Sequence, residues 1–419
     1  MPEWVARQRR ATMVPRHKID IAVADLLFAL LACLRARSPA RDERIVLDEL
    51  GLASKGIVCL SVRSGFDLML EALCAPKGSE FVVSAVTHLD IARILEWHGV
   101  VPVPVDLDTA TLAPRRDLLE RAVNSRTRGI VVAHLFGGTT DLSPIAAIAR
   151  ERGLLLVEDC AQSLGAGPPA GDPLVDVSMF SFGPIKTATA LGGAVLRVEN
   201  QDLLARMRDL QASRPLQERS AFARRAARFL ALALLARPAA YGVLARIVDL
   251  DRLVAGSVRG FPGNHEALLE QLRVRPSSPL ISLLARRVGN FDRARIRARS
   301  RAGNEVSALL SPRFVQPGAE AKARTHWVFP VVPPDPERLV TALRSAGFDA
   351  ARGTSAIGVV PAPTDRPELE ADEAREMMRK VVFLPTYPEL GAVKLRQLAE
   401  AANASLVEAE APELTVAAH

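Results

Sequence analysis

The stretch Val157–Val195, VEDCAQSLGAGPPAGDPLVDVSMFSFGPIKTATALGGAV, decides how this 419-residue chain folds. An acidic pair, Glu158-Asp159, closes the apolar run Leu154–Val157. Twenty-seven residues after Asp159, Lys186 follows the strand-like run VSMFSF at 177–182. A further apolar run, Ala194–Val198, comes after Gly192-Gly193. A carboxylate ending one strand and a lysine just past another suit a ligand that needs a charge partner and a covalent anchor.

Working outward, apolar runs of strand length alternate with helical periodicity. Strands are expected at 57–60, 80–84, 101–105, 129–133 and 154–157, with helices at 67–74, 89–98, 118–123 and 143–152. Such alternation implies an α/β fold with a mostly parallel sheet covered on both faces. In these sheets ligands bind beyond the carboxyl ends of the strands, where Asp159, His134 and the Ser64-Gly65 turn all fall. The Ser61–Gly65 turn, running into a helix expected from Asp67, is an anion site in principle and an ordinary helix cap by default.

Toward the termini, residues 1–18 read as a mobile arm and 19–36 as an amphipathic helix. Residues 280–304 read as one Arg-rich helix. A smaller α+β unit follows, with strands at 327–332 and 381–384 and helices at 336–346 and 392–402. The expected organisation is an N-terminal arm and helix (1–45), a large domain (46–202), a basic helical insertion (203–262), a smaller C-terminal domain (263–405) and a tail (406–419).

Half of the residues (49%) are hydrophobic, which excludes a disordered or fibrous chain. The net charge is +7, and residues 203–260 hold 11 Arg against 4 Asp/Glu, an excess that equals that of the whole chain. No zinc-finger spacing, RNA-binding aromatic signature or helix-turn-helix accompanies this excess, so no nucleic-acid partner is expected. The four cysteines (Cys33, Cys59, Cys74, Cys160) form no CxxC pair and read as reduced thiols of a cytoplasmic protein. The apolar run FLALALLA (229–236) is too short to span a bilayer. The insertion therefore reads as a packing element, with weak membrane-surface contact as the sharper alternative.

The segments SGFDLMLEAL (64–73), VVAHLFGGTTDLSPIAAIARERGLLLVEDCAQSLGA (131–166), FSFGPIKT (180–187) and LPTYPELG (384–391) resemble the DegT/DnrJ-type sugar aminotransferases. These are pyridoxal 5'-phosphate (PLP) enzymes of fold type I. The resemblance implies Lys186 as covalent anchor and proton shuttle, and Asp159 as partner of the cofactor's pyridine nitrogen. It implies Ser64, Gly65, the Phe66 backbone and Ser181 around the phosphate. Gln162 would lie near the ring hydroxyl, and His88 where an aromatic usually stacks. His134 reads as structural. A homodimer is implied, with Arg273 or Arg275 reaching the neighbouring subunit, and no metal.

The expected function is transfer of an amino group, from glutamate or a similar donor, to a keto-sugar or similar acceptor. Departures from the family pattern support an alternative. Phe66 stands where the family has Thr, Leu191 where it often has an acid, and the small-domain loop 353–363 is poorly matched. The alternative is a PLP-binding member with a remodelled substrate site, acting as a dehydratase or lyase or as a non-catalytic regulatory or scaffold protein.

Overall fold

The structure, a computed structural model, describes residues 13–35, 38–235, 265–353 and 356–407. Its strands are β1 (Gly56–Cys59), β2 (Glu80–Ser84), β3 (Val86–His88), β4 (Val101–Val105), β5 (Thr127–Ala133), β6 (Gly138–Thr139) and β7 (Leu155–Asp159). They continue as β8 (Val177–Ser181), β9 (Ala194–Val198), β10 (Ala323–Arg324), β11 (Phe329–Val331), β12 (Ala351–Arg352), β13 (Ile357–Val359) and β14 (Val382–Leu384). The central sheet has the order β1-β9-β8-β7-β5-β2-β4. All its pairings are parallel except the two made by β9, which runs against both neighbours.

Both faces of this sheet are dry, as near-continuous apolar strands require. On one face Phe66, Met69 and Ile91 pack against Met179 and Leu196. Another core joins Phe180, Phe182 and Leu191 to Phe222, Phe229 and Leu280. A separate core unites β11 and β14 with the helices Pro336–Ser345 and Gly391–Val407 through Phe329, Val331, Leu339 and Leu398.

Several boundaries differ from those expected. The helix expected from Asp67 begins at Val62, because the Ser61 hydroxyl accepts the Ser64 N–H at 3.1 Å and caps it. The Arg-rich helix expected over 280–304 is two helices, Ser278–Gly289 and Arg293–Leu309. Asp292 starts the second by accepting the Ala294 and Arg295 N–H groups, so the chain turns at 290–292. The loop 353–363 contributes β13, which pairs antiparallel with β3, setting Ile357 opposite His88.

Residues 13–18, expected as a loose arm, are tied down. Val14 exchanges backbone hydrogen bonds with Gly347 and Asp349, and Arg16 grips the Asp349 carboxylate with two bonds of 2.9 and 3.0 Å. Asp20 then accepts the Ala188 N–H at 2.7 Å. Within the basic insertion the described part forms helices Gln201–Ser213 and Arg219–Leu235, and residues 236–264 and the tail from 408 lie outside the described residues. The FLALALLA run continues the second helix as far as Leu235, and no described helix is long and apolar enough to cross a membrane.

Candidate active site

The carboxyl ends of β1, β2, β5, β7 and β8 lie along one edge, and the residues that carry chemistry gather there. Asp159 ends β7, and Ser181 ends the adjacent β8. Lys186 follows in the loop to β9, held by a turn in which its N–H bonds Gly183 O at 3.0 Å. Two non-glycine residues of that loop, Ala188 (φ 54°) and Leu191 (φ 63°), adopt the left-handed conformation. Such strain persists only where the surroundings over-determine the backbone. Here Asp20 takes the Ala188 N–H, Thr189 Oγ1 takes the Leu191 N–H and Arg225 donates to Leu191 O at 3.0 Å. Leu191, where the family often has an acid, is fully buried in apolar surroundings.

The electrostatics separate this lysine from surface lysines. Burial lowers the Lys186 pKa from 10.5 to about 8; Asp159 pulls it back up and Arg63 pushes it further down. Burial likewise raises the Asp159 carboxyl, against the pull of the Ala161 N–H and of Lys186. Each thus registers the other's charge. The Lys186 Nζ stands 4.3 Å from the centroid of the Trp327 ring, whose Nε1 donates to Ile185 O at 3.1 Å. Trp327 arrives there because β6 pairs with β10. Gly137, at φ 92°, makes this seam possible, since a Cβ would come within 2.4 Å of Trp327 N.

His88 caps the Leu89–Trp97 helix: its Nδ1 accepts the Asp90 N–H at 3.2 Å, which leaves the ring proton on Nε2. Burial and the nearby Arg63 lower its pKa to about 4, so the ring is neutral at pH 7. Gln162 is nearly buried and accepts the Phe136 N–H at 3.0 Å. Ser181 is half-buried, with its Oγ 3.4 Å from the Gly183 N–H. His134 is spent elsewhere: Nδ1 accepts the Thr140 N–H at 3.1 Å and Nε2 donates to Glu158 Oε2 at 2.9 Å. His134, Glu158 and Cys160 lie close enough to hold a metal, yet both ring nitrogens and both Glu158 oxygens already have protein partners.

One expectation needs correction. The Ser64–Phe66 triplet is not a turn with free donors. Ser64 N–H bonds the Ser61 hydroxyl, Gly65 N–H bonds Ser61 O at 3.0 Å, and the Phe66 side chain is wholly in the core. The N–H groups a helix leaves open belong to its first positions, here Val62 and Arg63. Arg273 and Arg275, expected to reach a neighbouring subunit, also have partners within the chain. Arg273 bonds both oxygens of the fully buried Asp67 within its own chain, alongside Arg214 and His98. Arg275 donates to Arg214 O.

The sequence reading passed over Arg63, Trp327, Arg225 and Arg299. Arg63 binds the buried Asp90 at 2.7 Å and influences Lys186, His88 and Arg225. Arg299 donates to Thr187 Oγ1 and Thr325 O, and its Nη2 is buried without a hydrogen-bond partner among the described residues. Arg63 sits inside the very turn singled out for anions, and that was the available signal. The others come from distant segments. Two cavities of about 270 and 330 Å³ flank the turn at 290–292, and neither is lined by Lys186 or Asp159.

Residues 43–226 match the DegT/DnrJ/EryC1/StrS aminotransferase family. Over 158 residues the chain is 34% identical to GDP-perosamine synthase of Caulobacter vibrioides, spanning 37% of this chain and 42% of that protein. It is 34% identical over 156 residues to a pleiotropic regulatory protein of Geobacillus stearothermophilus, again 42% of that protein. The match thus spans about two-fifths of the length of these curated relatives. Among solved structures, the aminotransferase TlmJ from Streptoalloteichus hindustanus superposes with a TM-score of 0.68 at 19% identity, covering 95% of this chain and 99% of that one. An E. coli GDP-4-keto-6-deoxy-D-mannose-3-dehydratase with bound hydrated PLP reaches 0.68 at 17% identity, covering 93% and 99%. At such identities the likeness establishes the fold.

Proposed function

From the match of residues 43–226 to the DegT/DnrJ/EryC1/StrS aminotransferase family, we propose that this chain is a PLP-dependent aminotransferase. It transfers an amino group, from glutamate or a similar donor, to a keto-sugar or related acceptor. One observation carries the reading. A desolvated lysine in the loop after β8 and a desolvated carboxylate at the end of the adjacent β7 feel each other's charge, a half-buried serine ends β8, and Arg63 also acts on the lysine. An amine, a carboxylate, a hydroxyl and a cation are what an aldehyde, a pyridine nitrogen and a phosphate would each require, so the residues present fit PLP.

PLP, when bound, supplies an electron sink for carbanion chemistry. The protein's own groups do the rest. With a pKa of about 8, Lys186 leaves about a tenth of its amine unprotonated at pH 7, against well under a thousandth for an ordinary lysine. That amine holds the cofactor and afterwards moves a proton at Nζ. Asp159 would hold the pyridine nitrogen, Ser181 and Arg63 the phosphate, and neutral His88 the ring face. Trp327 covers Lys186 and limits water.

Titration of the apo-protein with PLP should raise a visible absorbance band that Lys186→Ala abolishes, and glutamate should then bleach it. A protein that stays colourless sinks the reading. A band that glutamate leaves unchanged keeps PLP and removes transamination. That second result is the one expected if the spent Gly65 N–H and the core-buried Phe66 mark a regulatory member.

A further inference from the structure

Among the described residues, Arg225 is a withdrawn cation that no carboxylate answers. It is half-buried on the helix Arg219–Leu235, and its hydrogen bond runs from Nη1 to Leu191 O at 3.0 Å. Arg214, Arg287 and Arg366 are also withdrawn from water, and they hold the carboxylates of Asp67, Asp25 and Glu80 in turn. A guanidinium taken out of water without a counter-charge costs stability until an anion meets it.

Arg225 stands at the sheet edge that carries the candidate site. Leu191 lies in the loop after Lys186, and the nearby Gly193 N–H bonds Leu60 O at 2.8 Å, just before the cap Ser61 of the helix Val62–Leu73. Gly192 has no side chain, and a Cβ there would come 3.2 Å from Arg225 Nη1 and 4.0 Å from Leu60 O. The guanidinium is therefore beside the point where β1 gives way to that helix. The second residue of the helix is Arg63, whose charge reaches both Arg225 and Lys186. Burial lowers the Arg225 pKa, and Arg63 lowers it further. Like charges brought together in a partly dry site repel, and a ligand with two negative charges relieves both.

We propose that Arg225 is a ligand of the cofactor's phosphate and closes, with Arg63, a two-arginine site for a phosphate monoester. Arg63 and Ser181 already hold that group in the PLP reading above, on which this assignment rests. The donors expected around the phosphate fall short, because the Ser64 and Gly65 N–H groups are spent on Ser61. Two planar guanidinium groups make up that shortage, since each presents paired N–H donors to phosphate oxygens. Phe222, Ala226 and Phe229 fix the helix that carries Arg225 in the core shared with Phe180, Phe182 and Leu191. The basic insertion thereby gains a part in the site beyond packing.

Full-length apo-protein is titrated with PLP and with pyridoxal, which has the ring and aldehyde but no phosphate, and its melting temperature is followed in inorganic phosphate. Wild type should bind PLP more tightly than pyridoxal, and phosphate should raise its melting temperature. Arg225→Gln should weaken PLP about tenfold to a hundredfold, leave pyridoxal unchanged and remove most of the stabilisation by phosphate. A residue that only fixes the Leu191 carbonyl would weaken both aldehydes alike, and that result overturns the proposal. Should Arg225→Gln fail to fold, Arg225→Lys, which keeps the charge but not the planar fork, should still narrow the preference for PLP; a full wild-type preference in the lysine variant then overturns it. A preference that Arg225→Gln leaves intact while phosphate no longer stabilises overturns the cofactor assignment and moves the arginines to a phosphate of the substrate. Wild type that binds neither aldehyde overturns instead the PLP reading itself.

Discussion

Glu158 points to one face of β7 and Asp159, the next residue, to the other. On the first face Glu158 accepts the Asp172 N–H at 2.7 Å and the His134 Nε2–H at 2.9 Å. Burial alone would raise its pKa, but these bonds outweigh burial and hold it below its ordinary value. On the second face Asp159 has the Ala161 N–H at 2.9 Å and the more distant charge of Lys186, and burial wins and raises its pKa. Both carboxylates are buried, and their unequal hydrogen bonding distinguishes one used to build the strand end from one left over for a ligand. A satisfied buried charge supports the fold, whereas an under-satisfied one costs stability until something binds it.

The largest expected effect tests the unsatisfied side. Asp159→Asn should slow the glutamate-driven bleaching of the PLP band by about two orders of magnitude or more. It should leave the melting temperature unchanged or raise it, because a poorly matched buried charge is removed. A clear loss of stability would place Asp159 with Glu158 and erase the contrast.

The next effect is thermodynamic. Both Glu158 oxygens accept, so Glu158→Gln sets an amide NH₂ against one of two N–H donors. Denaturant melts should show a loss of about 1–3 kcal/mol, with bleaching changed only a few-fold. The pH dependence should differ in sign as well. Glu158, with its lowered folded pKa, contributes stability present above 4.5 and lost as acid takes the pH down through the folded value. Asp159, with its raised folded pKa, subtracts stability at neutral pH, and acidification through that raised value relieves the cost.

The smallest effect concerns Lys186. The rate at which apo-protein takes up PLP should rise with pH and level off above about 8, not 10.5. Arg63→Gln should move this midpoint up and Asp159→Asn should move it down, since the arginine lowers the amine's pKa and the carboxylate raises it. Between pH 8 and 10.5 the folded protein holds fewer protons here than the unfolded chain, so stability should rise across that interval. A midpoint indifferent to both substitutions would mean that neither charge reaches the lysine.

Much of the architecture was legible in the chain. Apolar runs of four or five residues between helical segments announce β2, β4, β5 and β7, because parallel strands buried on both faces cannot be written otherwise. The Asp159 and Lys186 positions followed from where those runs stop. The helix start at Val62 was missed because a serine hydroxyl can cap a helix or sit idle in a turn, and only its partner, Ser64 N–H, distinguishes the two. The break at 290–292 was missed because Arg-rich sequence stands on both sides of it, although Gly289-Asn290 and the capping Asp292 mark the stop and the new start.

The sequence by itself determined the strand-end carboxylate, the lysine past β8 and the α/β alternation, since each is local: hydrophobic period, chain order and residue type. Tertiary structure decided which of two adjacent carboxylates is spent, that Arg273 serves Asp67 in its own chain, and that Trp327 stands over Lys186 from 141 residues away. It also decided that Leu27, Leu31 and Leu34 of the helix Val23–Leu34 point away from the described core. These depend on desolvation and on partners contributed by distant segments, and neither quantity exists until the chain has packed.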